Sequence, residues 1–204
     1  MRRLLPLALA GFLLAGCAEL LSVGGPPPNI YTLSPKSTFT ENLPVTTWQL
    51  VVEEPLANGG LDTNKIAIMP TPFEVKYYAD ARWTERSPKM VQTLLVESFE
   101  NTGKIVAVCR QAVGLRSDYN LKSELREFQA ELDTGWTIPD VRVRLNAKLV
   151  KQPRQEIVAS ANFERVEKAK SPAIADVVVA FDEALGRVIR DAVQWTLTTG
   201  NTAR

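Results

Sequence analysis

The chain has 204 residues, 45% of them hydrophobic and 23% charged, so it carries enough apolar side chains for one sizeable core. Its 24 lysines and arginines nearly balance 23 acidic residues, which excludes the strong basic field that nonspecific nucleic-acid binding requires. It contains no histidine, which excludes serine–histidine and cysteine–histidine nucleophiles and histidine-ligated zinc. We therefore expect a single domain with no nucleic-acid partner, no metal site and no cofactor.

The N-terminal residues have the organisation of a bacterial secretion signal. Arginines at residues 2–3 precede an apolar stretch at residues 4–14, and Ala-Gly-Cys17 follows it. A helix of that length spans only about 17 Å, whereas a membrane-spanning helix must cross roughly 30 Å of hydrocarbon. Small residues before a cysteine resemble a lipobox, which predicts that residues 1–16 are removed and that Cys17 carries the lipid, palmitate included. The alternative is a plain secretory peptide in which Cys17 is incidental.

A Gly-Gly-Pro-Pro-Pro run at residues 24–28 cannot join a helix or a central strand. We therefore interpret residues 17–29 as a tether that could hold the domain up to roughly 35 Å from a bilayer. The domain itself is predicted at residues 30–199, with a C-terminal tail at 200–204. Alanine rather than aspartate follows the cysteine, which favours a lipid anchor in the outer membrane, facing the periplasm, over the inner membrane.

The first half of the predicted domain combines short strands with one helix. Runs of β-branched and aromatic residues, bounded by proline or glycine, predict strands at residues 30–33, 48–52 and 65–69 and a further short one at 73–78. From Pro88 to Phe99 the apolar residues recur at helical spacing, with Ser87 placed to cap the helix and residues 101–103 placed to end it. This pattern is typical of an amphipathic helix.

The second half contains longer strands. Residues 119–125 alternate, but Phe128 falls on the opposite parity, which predicts a bulge or a change of covered face between Leu125 and Phe128. Residues 141–149 alternate cleanly between apolar and polar, and residues 157–163 repeat the pattern after a turn. We interpret these runs as long antiparallel strands.

Apolar residues keep the 3.6-residue period from Ile174 to Trp195, after Ser171 and Pro172. This second amphipathic helix must cover a sheet. The sequence therefore predicts an α+β fold, in which two amphipathic helices pack on a mostly antiparallel sheet in a single two-layer domain.

The second cysteine lies in the β-branched run at residues 104–109, which predicts a buried strand. If Cys17 carries lipid, Cys109 has no partner for a disulfide. We expect Cys109 to be a shielded free thiol.

An aromatic segment precedes the first helix in what the sequence suggests is a loop. It contains three large rings, an aspartate and an arginine, namely Tyr77, Tyr78, Asp80, Arg82 and Trp83. Aromatic residues and arginine are enriched at the desolvated centres of interfaces, so these five are candidates for binding a partner. The other interpretation is that they fold over the domain's own core, and the pattern leaves both open.

The remaining polar motifs do not predict catalysis. Glu53-Glu54 and Asp182-Glu183 are neighbouring carboxylates, whereas a glycoside hydrolase needs two on opposite sides of a cleft. The glycine pair at residues 58–60 lacks the lysine and serine or threonine of a phosphate-binding loop. We expect these residues to be solvated surface and a turn, and the protein not to be an enzyme.

The chain resembles the ABC-type transport auxiliary lipoprotein family, which includes paraquat-inducible-type membrane-integrity lipoproteins. The resemblance covers nearly the whole mature chain, each motif being only moderately specific. It rests on the lipobox, residues 30–33, 65–70, 77–83, 118–128 and 157–163, and the last helix through 193–196. It implies an accessory role in mammalian-cell-entry-type lipid transport, with a substrate-binding protein and ABC transporter components as partners.

Three functions are compatible with these features. The first is a noncatalytic, lipid-anchored periplasmic adaptor that contributes to envelope lipid trafficking and membrane integrity. The adaptor could also form a homo-oligomer. The second is a lipid carrier that holds an acyl chain between sheet and helix. The third, an envelope hydrolase, is disfavoured by the absent histidine and the scattered carboxylates.

Overall fold

The computed structural model describes residues 27–40, 42–110, 116–132 and 137–203. The predicted signal peptide, Cys17 and most of the predicted tether lie outside these ranges. Within them, no helix is both long enough and apolar enough to cross a bilayer.

The described residues form nine strands in one sheet and two helices. The strands are β1 (Asn29–Tyr31), β2 (Gln49–Val52), β3 (Leu56–Ala57), β4 (Lys65–Thr71), β5 (Glu74–Trp83), β6 (Ala107–Arg110), β7 (Tyr119–Glu131), β8 (Asp140–Lys151) and β9 (Glu156–Lys168). The helices are α1 (Ser87–Asn101), between β5 and β6, and α2 (Ile174–Thr202), after β9.

The sheet is mixed, so the prediction of a mostly antiparallel sheet was wrong. The long strands β7, β8 and β9 are antiparallel, and so is the β4–β5 hairpin. On its other edge β7 pairs in parallel with β2, β3 and β4, which follow one another along it. Strand β6 pairs in parallel with β2, and β1 with β5.

The prediction failed because the alternation of apolar and polar residues shows which side chains of a strand are buried. It does not show whether the neighbouring strand runs parallel or antiparallel. Strand β7 has 13 residues and extends about 43 Å, far longer than β2 or β3. Three short strands therefore fit end to end along one edge of β7, and nothing in their own sequences records that direction.

The long strands confirm the predicted change of face. The register between β7 and β8 shifts between Leu125 and Glu127, so Leu125 and Phe128 are both buried on the covered face. Strand β8 alternates between buried apolar and half-buried polar residues as expected. Strand β9 lies at the edge, and Ile157, expected on its buried face, is 55% exposed.

Helix α1 covers the predicted residues but is not capped as predicted. The N-cap residue is Arg86, and no side chain caps the helix. Ser87 lies inside the first turn, where its hydroxyl donates to the carbonyl of Thr63 at 3.1 Å. The helix ends before Gly103, whose φ of +60° is a left-handed conformation that favours glycine.

The two helices contact each other, and α2 packs on β7, β8 and β9. Between α2 and the sheet, the rings of Trp83, Phe128 and Phe181 form a cluster with centroid separations of 5.0 to 5.7 Å. All three side chains are almost fully buried. They fill the space in which the carrier hypothesis would place an acyl chain.

Residues 32–40 and 42–48 form an extended segment that crosses the helices. The amide of Ser34 donates to Asp182 of α2 at 2.6 Å, and the amide of Lys36 donates to Ser98 of α1 at 2.8 Å. Leu33 and Leu43 from this segment are buried in the core. The helices are therefore held from both sides.

The strand that contains Cys109 is an edge strand rather than a buried one. Strand β6 covers only residues 107–110, and Val106 beside it is 66% exposed. Cys109 is a free, half-buried cysteine whose sulfur lies 3.8 Å from the carbonyl oxygen of Leu50. The thiol is thus only partly shielded.

Candidate partner-binding surface

The aromatic segment expected in a loop lies on β5, which the structure continues through Trp83. The pairing of β5 with β4 is interrupted there. From Lys65 to Ala67 on β4, the partners on β5 change from Arg82 to Tyr77, so β5 has extra residues that form a bulge. Because of this bulge, residues 77 and 83 have the same parity but face opposite sides of the sheet.

Arg82 stabilises the bulge from within. Its Nη1 donates to the carbonyl oxygens of Tyr78, Ala79 and Ala81 at 2.9, 3.2 and 2.7 Å. A bulge leaves carbonyl groups without ladder partners, and a guanidinium can satisfy several of them at once. The structure therefore gives Arg82 a role in the fold of β5.

The two tyrosines have different surroundings. The hydroxyl of Tyr77 donates to the carbonyl of Gly60 at 3.1 Å, and the Nζ of Lys65 lies 5.1 Å from the ring centroid. Both rings pack against the core, and at Tyr78 burial raises the pKa of the phenol above its ordinary value. Asp80, in the bulge, is exposed.

Trp83 is 1% exposed and belongs to the ring cluster under α2. Of the two interpretations of this residue, the core one matches the structure. A partner-binding role for Tyr77, Tyr78, Asp80 and Arg82 stays a prediction. The five residues do not form one patch, because the bulge distributes them over both faces of the sheet.

The face of the sheet away from the helices contains a groove of about 490 Å³, which we call the open-face groove. It lies where the ends of β4 and β7 meet the beginning of β8. Its apolar lining consists of Met69, Pro72, Leu132 and Val166. Val166 is 43% exposed on the edge strand β9, so the groove opens at the edge of the sheet.

The polar lining of the groove is a connected set of charged side chains. Arg142 on β8 donates through Nε to Glu131 at 3.0 Å and through Nη1 to Glu164 at 2.5 Å. The hydrogen bond to Glu131 raises the pKa of the Arg142 guanidinium above its ordinary value. Gln129 joins this pair to Glu127, since its amide donates to both Glu127 and Glu131.

A second hollow of about 260 Å³ adjoins the groove, and both are lined by Met69 and Glu127. Gly60, whose carbonyl accepts from Tyr77, and Val75 of β5 also line it. The groove and this hollow thus connect the charged side chains of β7 and β8 with the β4–β5 hairpin.

This arrangement suits the binding of an extended polypeptide. Carboxylates of Glu127, Glu131 and Asp140 offer hydrogen-bond acceptors, while the apolar side chains beside them offer area to bury. Interfaces combine these two contributions in the same way. Among the described residues, no three potential metal ligands cluster together.

The sequence patterns did not predict the groove, although one of them indicates which residues line the uncovered face of β7. The predicted change of parity after Leu125 implies that Glu127, Gln129 and Glu131 share the uncovered face of β7. Their pairing with Arg142 and Arg144 depends on the register between β7 and β8, which only the folded sheet supplies.

Residues 31–193 match the family described as the ABC-type transport auxiliary lipoprotein component. The match covers nearly all of the described domain, including β5, the open-face groove and most of α2. The chain belongs to this family, as its resemblance predicted.

Two solved structures and one curated relative are similar to this chain. Protein XCC0632 from Xanthomonas campestris is 36% identical, with a TM-score of 0.81 over 85% of this chain and 97% of that one. An uncharacterised protein with 16% identity and a TM-score of 0.58, covering 88% of this chain and 98% of that one, shares the fold alone. An uncharacterised protein of Bradyrhizobium diazoefficiens is 30% identical over 91% of this chain. The chain spans about half of that relative, covering 49% of its length.

Proposed function

We propose that this protein is a noncatalytic, lipid-anchored subunit of an ABC-type lipid transport system of the mammalian-cell-entry type. The observation that carries the proposal is the family match across the domain, together with the lipobox-like residues before Cys17. In this role the lipid on Cys17 holds the domain on the periplasmic side of the outer membrane. The domain then binds the substrate-binding protein of the transporter and contributes to lipid trafficking and membrane integrity.

The open-face groove is the docking surface that we assign to this partner. It is the largest hollow that we describe on the sheet, and the helices leave it uncovered. Its acceptors and apolar side chains fit a peptide segment that presents basic or amide groups beside apolar ones. Tyr77 adjoins this surface through its hydrogen bond to Gly60, which lines the neighbouring hollow.

Affinity purification from detergent-solubilised membranes tests the proposal. The tagged chain should recover the mammalian-cell-entry-type protein together with the ATPase and permease. Val166→Arg places a positive charge opposite the basic groups that the partner presents and should reduce this recovery at least about tenfold, since like charges across an interface cost several kcal/mol.

The matched control is Ile157→Arg, which introduces the same charge at an exposed position on the same strand. It should leave recovery unchanged. Equal loss with both variants would exclude the groove as the docking surface. Recovery of only unrelated proteins by the unsubstituted chain would contradict the proposed function itself.

A further inference from the structure

The tip of the β4–β5 hairpin presents an isolated aromatic ring to solvent. Phe73, between the two strands, is 99% exposed, and Val75 beside it is 48% exposed. By contrast, Phe99, Phe128 and Phe181 are buried in the core. A phenylalanine held outside the fold on a hairpin is available to an apolar phase outside the protein.

The pairing of β1 shows where the chain before the domain is directed. Strand β1 runs parallel to β5, with Asn29 opposite Ala81 and Tyr31 opposite Trp83. Strand β5 begins at the hairpin tip, so the N-terminal end of β1 is directed toward that tip. Pro27 and Pro28, which precede β1, are exposed.

The lengths of the two segments agree. Lys65 pairs with Arg82 and Thr71 with Glu74, so six residues of β4, about 20 Å of strand, separate the end of β5 from the hairpin tip. The twelve residues from Cys17 to Asn29 could reach up to roughly 37 Å at the polyproline rise per residue. This length is sufficient for a lipid on Cys17 to reach the level of Phe73.

We propose that the β4–β5 hairpin tip inserts Phe73 into the interface of the bilayer that holds the lipid anchor. The inference rests on the lipidation of Cys17 in the proposed function. Phenylalanine is one of the apolar residues that an interfacial segment buries about 5–10 Å deep, at the boundary of headgroups and acyl chains. The ion pair of Glu74 with Lys76, at 2.8 Å, lies just behind the ring, where a lysine can also meet lipid phosphates.

This second contact orients the domain. A single point of attachment permits many orientations of the domain, whereas an anchor and a hairpin tip on the same side permit only a few. The opposite end of the sheet is then directed away from the bilayer. Ile157 lies there, because it pairs with Val150, which pairs with Asn120 near the beginning of β7.

Site-directed fluorescence on the full, lipidated chain tests this inference. Phe73→Cys and the control Ile157→Cys are each made in a Cys109→Ser background, so that an environment-sensitive dye labels one thiol. The proteins are reconstituted into phosphatidylethanolamine–phosphatidylglycerol vesicles that contain brominated acyl chains. The dye at residue 73 should be quenched at least about threefold more strongly than the dye at 157, because only the inserted residue reaches the acyl region.

The outcomes separate this inference from the proposed function. Equal, weak quenching at both positions in a chain that floats with the vesicles would overturn the insertion and leave Phe73 to a protein partner. A chain that stays in the aqueous fraction with Cys17 intact would overturn the anchor and the insertion together. Both residues are exposed, so unchanged melting temperatures of the two variants verify that folding is not the cause.

Discussion

Phe73 directly precedes β5 and Trp83 ends it, and the two side chains have opposite surroundings. Trp83 contacts Phe128 and Phe181 under α2, whereas Phe73 is almost entirely in solvent. Both are large apolar side chains, so their local sequence gives no reason for the difference. The difference arises because Phe73 lies in the turn at the hairpin tip, whereas Trp83 follows the bulge and lies under α2.

Trp83→Ala should therefore destabilise the domain. Removal of a buried indole costs about 3–5 kcal/mol, which corresponds to a fall of roughly 6–20 °C in the melting temperature of a domain of this size. Phe73→Ala is the control and should change the free energy of unfolding by less than about 0.5 kcal/mol. Thermal unfolding followed by circular dichroism measures both. An unchanged melting temperature for Trp83→Ala, with weaker partner recovery, would contradict the core assignment.

Arg82 provides a second test at this scale. Its guanidinium donates to three carbonyls of the bulge, and hydrogen bonds from a charged donor contribute about 1.5–3 kcal/mol each at most. Arg82→Ala should lower the free energy of unfolding by about 2 kcal/mol in urea titrations, and Arg82→Lys by less. Asp80→Ala, in the same bulge but exposed, is the control. Equal effects of Arg82→Ala and Asp80→Ala would show that the carbonyl contacts are not stabilising.

Tyr78 predicts a pH dependence of stability. Burial raises the pKa of its phenol in the folded chain, so above about pH 10 the unfolded chain releases this proton first. The stabilisation is complete below the unfolded pKa and is lost as the pH rises toward the folded one. The stability difference between the unsubstituted chain and Tyr78→Phe, from urea titrations, should shift in favour of Tyr78→Phe between pH 8 and 11. A difference that stays constant would contradict this expectation.

At the scale of elements, the C-terminal end of α2 is held by two strands. The hydroxyl of Tyr119 donates to the carbonyls of Gly200 and Ala203, each at 3.3 Å, and the Nζ of Lys151 donates to Ala203 at 3.0 Å. These bonds satisfy carbonyls that a helix end leaves without partners. Helix α2 therefore continues to Thr202, into the residues expected to form a tail.

Substitution by alanine should have opposite effects on stability at the two glycines of α2. A Cβ at Gly200 would lie 2.6 Å from Cζ2 of Trp48, so the indole would have to move. Overpacking costs typically about 1–3 kcal/mol, which exceeds the gain of about 1 kcal/mol in helix propensity. Gly200→Ala should destabilise the domain in urea titrations. Gly186→Ala meets only Lys36 Cδ at 4.0 Å and should stabilise it by up to about 1 kcal/mol.

Equal stabilisation by both substitutions would show that the Trp48 ring moves freely. The two variants can be compared directly because both replace a glycine of α2 with alanine. They differ in the residues that the tertiary structure places beside each glycine.

At the scale of the whole molecule, the proposed function requires that Cys17 carry the lipid anchor. Cys17→Ser should abolish palmitate labelling and leave unprocessed precursor at the inner membrane, because signal cleavage of a lipoprotein follows modification of the cysteine sulfur. Cys109→Ser is the matched control and should keep both labelling and processing. Metabolic labelling with immunoblotting of membrane fractions measures the outcome. Normal labelling of Cys17→Ser would refute the lipobox assignment.

The sequence by itself determined the two helices and the covered faces of β7 and β8. The helical period placed α1 and α2, and the alternation of β8 matched its buried and half-buried positions. The parity change after Leu125 located the bulge in β7. These features depend on contacts between residues close in the chain, so local patterns are sufficient to predict them.

Only the tertiary structure decided the direction of strand pairing and the fate of the aromatic segment. The parallel alignment of β2, β3 and β4 along β7 depends on residues far apart in the chain. The alternation of apolar and polar residues within a strand does not indicate the direction of its neighbours. Trp83 is buried and Phe73 is exposed because of the bulge in β5 and the position of α2. Helix α2 comes after β9, far from both residues in the chain. The open-face groove has the same origin, since its charged pairs meet only when β7, β8 and β9 align in register.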